Sequence, residues 1–544
     1  MSRDKAPFRI GNDRLPLILV VVLSIVTLIP LFAVEVPPVV DYPNHLARLY
    51  VLAHLGSDPW LSRIYAAHWD VIPNLGIDLL VPWTLSFLPL HVAGRTMLAL
   101  TLLLPVLGTI AYSRALFGGN SLWPFGAFLV SYNLAFLLGF ENLLLSYGAA
   151  LLGAAVFCRT IRTRFYAGHA IAFVTTILVF FIHISGLILL VSLILAHKLA
   201  RAAAAAPDWR RVGRIALAEG CGFVVILIVP ATLYLISPLS QVKSRKIVLS
   251  GADKLDFALS PVLSYYPVLD LVTAACLVVV VILCLAFGRV RFSPVAAIVF
   301  LFLALAYPFL PTMMKGATYL DARVAVVLGF LGFCVFVPRA LPKRLGVAMA
   351  LLLVALFCIR TATVAAVWYG HRQDLDDVRQ TIAPIAPGSR VLIVAAQGPG
   401  ARGFMVGGDP ALQPEAPRSR YLSVIGYPTY FHMAALVTIE RHAFFPLLFS
   451  APDKQPINVL APYKAISVAN GEVPRYQGLG FDRISPAELA AFPYVAQWQS
   501  RFDYVLVLNA GEAGDLQYFL PEKLVFLRQT GFAALFRIRK ATAP

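Results

Sequence analysis

The chain has 544 residues, of which 59% are hydrophobic and only 13% are charged, and its mean hydropathy is +0.78. Soluble globular proteins carry about 45–50% apolar and about 25% charged residues, so this composition excludes a soluble enzyme, a disordered chain and a disulfide scaffold. The formal net charge of +17 would suit a nucleic-acid partner, but its distribution along the chain indicates membrane topology instead.

Apolar runs of about twenty residues recur through the first two thirds of the chain and predict a polytopic α-helical membrane protein. The first run, 15–34, follows a basic segment and is not followed by a clear small-residue cleavage site, so we expect a retained helix rather than a signal peptide. With it, about eleven spans are predicted, the others lying near 96–117, 121–139, 142–158, 168–182, 184–199, 214–236, 268–287, 292–310, 323–338 and 345–367.

Clusters of basic residues predict the orientation of these spans. They lie at 159–164, 198–214, 289–291 and 339–344. If these loops are cytoplasmic, as the positive-inside rule indicates, a cytoplasmic N-terminus requires an even number of spans before residue 159. The ambiguous stretch 71–90, which contains Asp78 and several prolines, is therefore predicted to be interfacial, because counting it as a span would put the first cluster outside.

The sequence predicts two domains. Residues 1–367 would form a transmembrane domain with a long first outer loop at about 35–94. Residues 368–544 gain proline, glycine and short strand-like runs, and we expect them to form a soluble, extracytoplasmic α/β domain. These runs are 390–396, 504–508 and 532–538, with helical patterns such as 485–492 between some of them. The glycine-rich stretch 398–408 lacks the P-loop signature, so a flexible loop is predicted there.

Asp41, just after the first run, is the first candidate catalytic residue. It lies close to His45 and Arg48, and a carboxylate in this position can act as a general base for a hydroxyl acceptor. Asp41 can also be the N-cap of a helix that starts near Pro43. The two roles are compatible, and the long outer loop, rich in aromatic and polar residues, favours the catalytic one.

Other polar residues interrupt the apolar runs on the predicted outer side, where ionisable groups mark functional cavities by default. Glu141 with Asn142 offers a second candidate catalytic carboxylate, with a solvated hairpin turn as an equal alternative. His183 is more often a satisfied histidine between helices than a ligand. Asp41, His45 and Glu141 could together hold a divalent cation such as Mg²⁺ or Mn²⁺, but no ligand spacing supports this, and no cofactor is assigned.

Basic residues on the predicted outer side indicate an anionic ligand. Lys243, Arg245 and Lys246 break the positive-inside trend, which an anionic headgroup or a lipid-linked phosphate would explain, and an ordinary solvated loop is the alternative. Arg323 lies two residues from Asp321. It is either a phosphate clamp or the ion-pair partner of Asp321, and the ion pair is favoured.

In its whole layout, the chain resembles the C-type (GT-C) membrane glycosyltransferases, which include the protein O-mannosyltransferases and the bacterial aminoarabinose and arabinofuranosyl transferases. That group has many spans, a long first outer loop with interfacial helices, an acidic residue just after the first span, and often a soluble outer C-terminal domain. Here Asp41 stands where the acidic catalytic residue of the family stands, and Ile64–Leu90 would supply the interfacial helices. The paired acids frequent in the family are absent, because Tyr42 follows Asp41.

The resemblance implies an inverting sugar transfer, on the outer face of a bacterial inner membrane, from a polyprenyl-phosphate donor to a hydroxyl of a glycan, lipid or protein acceptor. Asp41 would be the general base, and Lys243, Arg245, Lys246 or Arg323 would hold the donor phosphate. The N-terminus would be cytoplasmic, the C-terminal domain periplasmic, and the partners membrane lipids rather than nucleic acid. Candidate substrate-binding residues are His45, Arg48, Asn142, His183, Tyr265 and Tyr319.

Two other classes of protein compete with this hypothesis. A lipid or glycan transporter or flippase would also have many spans and buried charges, but it should show repeat symmetry and charges near the bilayer midplane. A non-catalytic glycan-assembly protein would use the C-terminal domain as its working part. Within the enzyme class, a polymerase or ligase with a lipid-diphosphate donor is a further alternative.

Overall fold

The computed structural model describes residues 14–119, 121–243, 247, 254–396, 420–422, 426–469, 471–480 and 492–540. The α-helices in these ranges are α1 (Leu15–Phe32), α2 (Tyr42–His54), α3 (Pro59–Ile64), α4 (Gly76–Thr84), α5 (Leu90–Phe117), α6 (Leu134–Leu138), α7 (Glu141–Thr160), α8 (Phe165–Ile182), α9 (Ile184–Ala203), α10 (Trp209–Ile236), α11 (Pro238–Gln241), α12 (Lys254–Ala258), α13 (Pro267–Phe287), α14 (Pro294–Ala306), α15 (Leu320–Val335), α16 (Lys343–Gly370), α17 (Arg372–Ile382), α18 (Leu436–Arg441) and α19 (Trp498–Arg501).

Strands and 3₁₀ helices complete the secondary structure of the described residues. The strands are β1 (Tyr65–Ala67), β2 (Arg289–Phe292), β3 (Met313–Met314), β4 (Ala317–Thr318), β5 (Phe336–Ala340), β6 (Val391–Ala395), β7 (Ile457–Val459), β8 (Tyr504–Leu508), β9 (Leu524–Gln529) and β10 (Ala533–Ile538). The 3₁₀ helices are Trp123–Val130, Tyr307–Phe309, Met433–Ala435, Tyr463–Ile466, Tyr476–Gly480, Pro493–Val495 and Ala510–Ala513.

The helices account for every predicted apolar run. In the described part of the chain, eight helical stretches are long and apolar enough to cross a membrane, namely α1, α5, α7, α8, α9, α10, α13 and the stretch that joins α16 to α17. The other three runs form shorter helical segments, at Trp123–Leu138, Pro294–Phe309 and Leu320–Val335. The stretch 71–90 contains the nine-residue α4, which is too short to span a bilayer. The chain is a multi-pass membrane protein.

The chain divides into two compact units. The first, here the helical unit, comprises residues 1–32, 73–76 and 97–365. The second, the mixed unit, comprises residues 33–72, 77–96 and 366–544, so the first loop belongs with the C-terminal segment. The domain boundary predicted at residue 367 remains a prediction.

Close packing around α7 organises the helical unit, in which α7 contacts α8 and α9 extensively. A Cβ atom at Gly148 of α7 would lie 2.5 Å from the backbone of Leu104 in α5, and one at Gly186 of α9 would lie 2.4 Å from the side chain of Ser146. Glycine therefore allows these backbones to approach, as small residues do between membrane helices.

A buried ion pair connects α13 to α16 in the helical unit. Arg360 Nη1 donates to Asp270 Oδ1 at 2.9 Å, and both side chains are almost fully buried. Arg360 Nη2 also donates to the carbonyls of Tyr132 and Val262, while the backbone N–H and hydroxyl of Ser264 donate to the Asp270 carboxylate. These additional hydrogen bonds offset the desolvation that buried charges require.

A four-stranded sheet forms the core of the mixed unit, in the order β6-β8-β10-β9. β6 and β8 are parallel, with Val391 opposite Tyr504, and the other neighbours are antiparallel. The predicted strand runs correspond to β6, β8 and β10, whereas β9 was not predicted. The fold class is thus confirmed: a polytopic helical membrane protein with a C-terminal α/β domain.

The first loop is integrated into the mixed unit through backbone pairing and an amphipathic helix. β1 pairs antiparallel with β7, with Tyr65 opposite Val459. In α4, Leu79, Leu80 and Trp83 are about half exposed or more, whereas Asp78 is buried. An exposed apolar face on a helix too short to span a bilayer is as expected of an interfacial segment.

We predict that Arg360→Leu destabilises the protein strongly, by about 3–5 kcal/mol, because Asp270 would remain buried without its cation. The double variant Arg360→Leu/Asp270→Leu should recover much of this loss, since neither charge is then buried. Thermal unfolding in detergent, followed by circular dichroism, measures both. Arg344→Leu, at an exposed arginine of α16, is the control. A double variant less stable than Arg360→Leu would contradict the prediction.

Candidate active site

Asp41 occupies the N-cap position of α2, as the sequence predicted, but its side chain makes no capping hydrogen bond. Pro43, in the first turn, supplies the fixed φ that favours a helix start, so the helix begins without help from the carboxylate. The Asp41 side chain is 19% exposed. The Asp41 carboxylate therefore does not serve as a helix cap.

Asp41 shares one face of α2 with Asn44, His45 and Arg48, because spacings of three, four and seven residues superpose on a helix. Asn44 and Arg48 are fully buried, whereas Asp41 and His45 retain partial exposure. The face therefore has a buried polar half, Asn44 and Arg48, and a partly exposed half, Asp41 and His45.

His432 is the histidine that contacts Asp41, although they are far apart in the sequence. His432 Nε2 lies 3.4 Å from Asp41 Oδ1, slightly longer than an ideal hydrogen bond. His432 Nδ1 lies 3.1 Å from Asn44 Nδ2. Burial lowers the pKa of His432 to about 3, so its imidazole is neutral near pH 7. No role was assigned to His432 from the sequence.

Arg48 is held by Asp78 of α4 in a bidentate ion pair. Arg48 Nε donates to Asp78 Oδ1 at 2.7 Å and Nη2 donates to Oδ2 at 3.1 Å, and both side chains are 0% exposed. Burial raises the pKa of Asp78, and the guanidinium opposes this shift. Arg48 is thus a buried support of α2, and its predicted contact with substrate remains a prediction.

His45 is oriented by Arg48 and by an aromatic ring. Arg48 Nη1 lies 3.0 Å from His45 Nδ1. Since a guanidinium is always a donor, His45 Nδ1 accepts this hydrogen bond and its Nε2 carries the proton. The His45 ring lies 5.1 Å from that of Phe449, which is also 5.0 Å from the His432 ring.

In the helical unit, Glu141 is the first residue of α7 and is only 2% exposed. A buried acid at a helix N-terminus is favoured by the helix dipole, and its burial excludes the alternative of a solvated hairpin turn. The neighbouring Asn142 donates from Nδ2 to the carbonyl of Asn74 at 2.9 Å. Catalysis by Glu141 and substrate binding by Asn142 remain predictions.

Arg323 does not have the partner favoured from the sequence. Asp321 instead pairs with Lys254, whose Nζ lies 2.7 Å from Oδ2, and it accepts a hydrogen bond from Thr312. Arg323 Nε donates to the carbonyl of Thr318, and the guanidinium carbon lies 4.6 Å from the ring centroid of Phe140. Residues two apart on a helix point in different directions, which explains the correction.

The structure shows the contacts or burial of three further substrate-binding candidates, His183, Tyr265 and Tyr319. His183 caps α9, its Nδ1 accepting the backbone N–H of Ser185 at 3.1 Å. Tyr265 is buried. Tyr319 precedes α15 with a left-handed backbone (φ 56°), and its ring packs against Phe257 at 5.4 Å. Substrate binding by these three residues remains a prediction.

Some predictions fall on residues outside the described ranges. Arg245 and Lys246 lie there, whereas Lys243 is described and exposed. The glycine-rich stretch 398–408 and all but the last residue of the helical pattern 485–492 also lie outside. Among the residues described, no group of three or more His, Cys, Asp or Glu side chains is arranged to hold a metal ion.

The fold can be compared with known structures. No family model matches the sequence, and no curated protein matches it. The chain is similar in structure to the aminoarabinose transferase ArnT from Cupriavidus metallidurans, whose crystal structure was solved bound to undecaprenyl phosphate. The TM-score is 0.50 at 12% sequence identity, over 98% of this chain and 100% of ArnT.

The chain has a GT-C glycosyltransferase fold. The resemblance of layout is thereby confirmed at the level of fold. At 12% identity the similarity shows the fold alone, and the roles of Asp41, Glu141 and Arg323 depend on their own geometry.

We predict that Arg48→Lys lowers the stability of the protein by about 1.5–3 kcal/mol, because an ammonium cannot replace both hydrogen bonds to the buried Asp78. Thermal unfolding in detergent measures this loss. Arg63→Lys is the matched control, since Arg63 is exposed on the neighbouring helix α3 and should tolerate the exchange. Equal melting temperatures for Arg48→Lys and wild type would contradict the assignment of Arg48 as a buried support.

Proposed function

We propose that the protein is a membrane glycosyltransferase that moves a sugar from a polyprenyl-phosphate donor to a hydroxyl acceptor. The supporting comparison is with ArnT, a GT-C transferase that binds undecaprenyl phosphate. The observation that carries the proposal is a partly exposed carboxylate, that of Asp41, directly after the first span of a GT-C fold and without a capping hydrogen bond.

In the proposed reaction, Asp41 is the general base. As the acceptor oxygen attacks the anomeric carbon, its proton passes to the Asp41 carboxylate and the bond between that carbon and the phosphate oxygen breaks. Polyprenyl phosphate leaves with the bonding electron pair, and attack from the opposite side inverts the anomeric centre. A positioned base typically contributes about 10²–10⁴-fold to such a step.

Arg323 is the proposed ligand of the donor phosphate, with Lys243 as a second described candidate. A guanidinium presents a planar set of donors that matches phosphate oxygens. The hydrogen bond from Arg323 Nε to Thr318 and the stacking on Phe140 restrict the motion of this group. Such restriction reduces the entropy lost when a phosphate binds.

The proposal also includes the orientation inferred from the basic clusters. The N-terminus would be cytoplasmic, the mixed unit periplasmic, and the membrane a bacterial inner membrane. The cluster at 289–291 lies on β2, which pairs antiparallel with β5, and Arg339 of the cluster at 339–344 lies on β5. This ribbon brings two basic clusters of the sequence together, as expected if both loops lie on the same side of the membrane.

We predict that Asp41→Asn abolishes transfer, with a loss of at least about 10²-fold in turnover, because the amide cannot accept the proton. Purified protein is incubated with a panel of polyprenyl-phosphate sugars and acceptors, with and without EDTA, and donor consumption is measured. Asp70→Asn, at an exposed carboxylate of the same loop, is the control and should retain full activity.

Equal turnover of Asp41→Asn and wild type would remove Asp41 as the base. Turnover lost in EDTA and restored by Mg²⁺ or Mn²⁺ would show a metal requirement. Lipid binding without turnover of any donor would favour a transporter or a non-catalytic assembly protein.

A second prediction concerns the phosphate. Arg323→Gln should weaken binding of a polyprenyl monophosphate by about 10–100-fold, the equivalent of one charge-assisted hydrogen bond. The corresponding polyprenyl alcohol should bind both proteins equally, since it lacks the anionic group. Arg339→Gln, at an exposed arginine of β5, is the control. Equal weakening for the alcohol and the phosphate would show that Arg323 acts through packing alone.

A further inference from the structure

We propose that His432 is a positioning residue for Asp41, with Asn44 fixing the tautomer in which His432 presents an N–H to the carboxylate. This inference rests on the proposed role of Asp41 as general base. His432 precedes α18, almost four hundred residues after Asp41. The inference therefore gives the C-terminal segment a part in the chemistry.

Backbone groups determine the orientation of the Asn44 side chain. Asn44 Oδ1 accepts the N–H of Phe449 at 2.8 Å, and its Nδ2 donates to the carbonyl of Leu447 at 2.8 Å. A flipped amide would direct a donor at an N–H and an acceptor at a carbonyl. The amide nitrogen of Asn44 therefore faces His432 as a donor.

The tautomer of His432 follows from this orientation. Its Nδ1, 3.1 Å from Asn44 Nδ2, must accept. A neutral imidazole carries one proton, which consequently resides on Nε2, the atom 3.4 Å from Asp41 Oδ1. The protonated nitrogen of His432 is therefore the one nearest to the Asp41 carboxylate.

The surroundings of His432 distinguish positioning from proton relay. Among the described residues it contacts Asp41, Asn44 of α2 and the rings of Phe431 and Phe449, at 4.8 and 5.0 Å, and Asp41 is the titratable group of this set. In this environment the pKa of His432 is lowered to about 3 by burial, so the imidazole does not take up the proton that Asp41 receives. His432 orients the base and stabilises its charged form. The contact at 3.4 Å leaves room to shorten when substrate binds, as catalytic hydrogen bonds often do.

The first test observes the tautomer directly and needs no activity. Protein labelled with ¹⁵N-histidine is reconstituted in bilayers, and the His432 signal is identified by its loss in His432→Phe. We expect one neutral, Nε2-protonated imidazole from pH 5 to pH 8. In Asn44→Asp the new carboxylate should accept from Nδ1 and move the proton there. A wild-type signal with the proton on Nδ1, or one that titrates between pH 5 and pH 8, would overturn the proposal.

The second test is kinetic. His432→Phe keeps the ring but loses the N–H, so it should lower kcat about tenfold with little change in KM. The acid limb of the pH profile should move up by as much as about one pH unit, since the Asp41 carboxylate loses a donor. His432→Gln, which can present an amide N–H at similar reach, should recover part of both effects. His442→Phe is the control, because it removes another histidine–carboxylate contact, that with Asp58.

The outcomes separate this inference from the proposed function. Wild-type kcat and an unshifted acid limb in folded His432→Phe would overturn the inference while Asp41→Asn remained inactive. An equal loss in His432→Gln and His432→Phe, without any pH shift, would show a packing role only. A fully active Asp41→Asn would overturn the proposed base itself, and the NMR test would still decide whether the hydrogen-bonded chain from Asn44 to Asp41 exists.

Discussion

The buried ion pair between Arg48 and Asp78 is the constraint on which the chemistry proposed for Asp41 depends. Two charges with no exposure to solvent are stable only with good geometry, which the bidentate contact and the hydrogen bond to His45 provide. The pair fixes α2 against α4, whose other face is apolar and exposed. The start of α2, and the carboxylate on it, is thereby held to a segment with the character of an interfacial helix.

The fold also makes the C-terminal segment part of the surroundings of Asp41. β1 pairs with β7, and α2 packs against α18, so residues that the sequence separates widely become one compact unit. Leu447 and Phe449 orient Asn44 through backbone atoms, and His432 contacts Asp41. The segment therefore completes the environment of a residue in the first loop rather than forming an independent appendage.

The sequence predicted those features that depend on local pattern. Apolar runs of sufficient length became helices, and Asp41 occupies the N-cap position of a helix with Pro43 in its first turn, as predicted. His432 could not be found this way, because no periodicity connects it to Asp41. For Asp321, the partner predicted from the sequence was wrong. Its near neighbour Arg323 looked like its partner, yet two residues on a helix lie about 200° apart, and Lys254 from another helix pairs with it.

The contact that His432 makes with Asp41 differs in charge from the ion pair that an arginine or lysine would form. A cationic partner within about 4–6 Å lowers the pKa of an aspartate by about 1–3 units and so weakens it as a proton acceptor. The contact from His432 comes from a neutral imidazole, and Arg48 of α2 pairs with Asp78. A neutral donor fixes the direction of the carboxylate at a smaller loss of basicity. Burying His432 therefore does more than pack a ring, because the desolvation keeps the group that contacts Asp41 neutral.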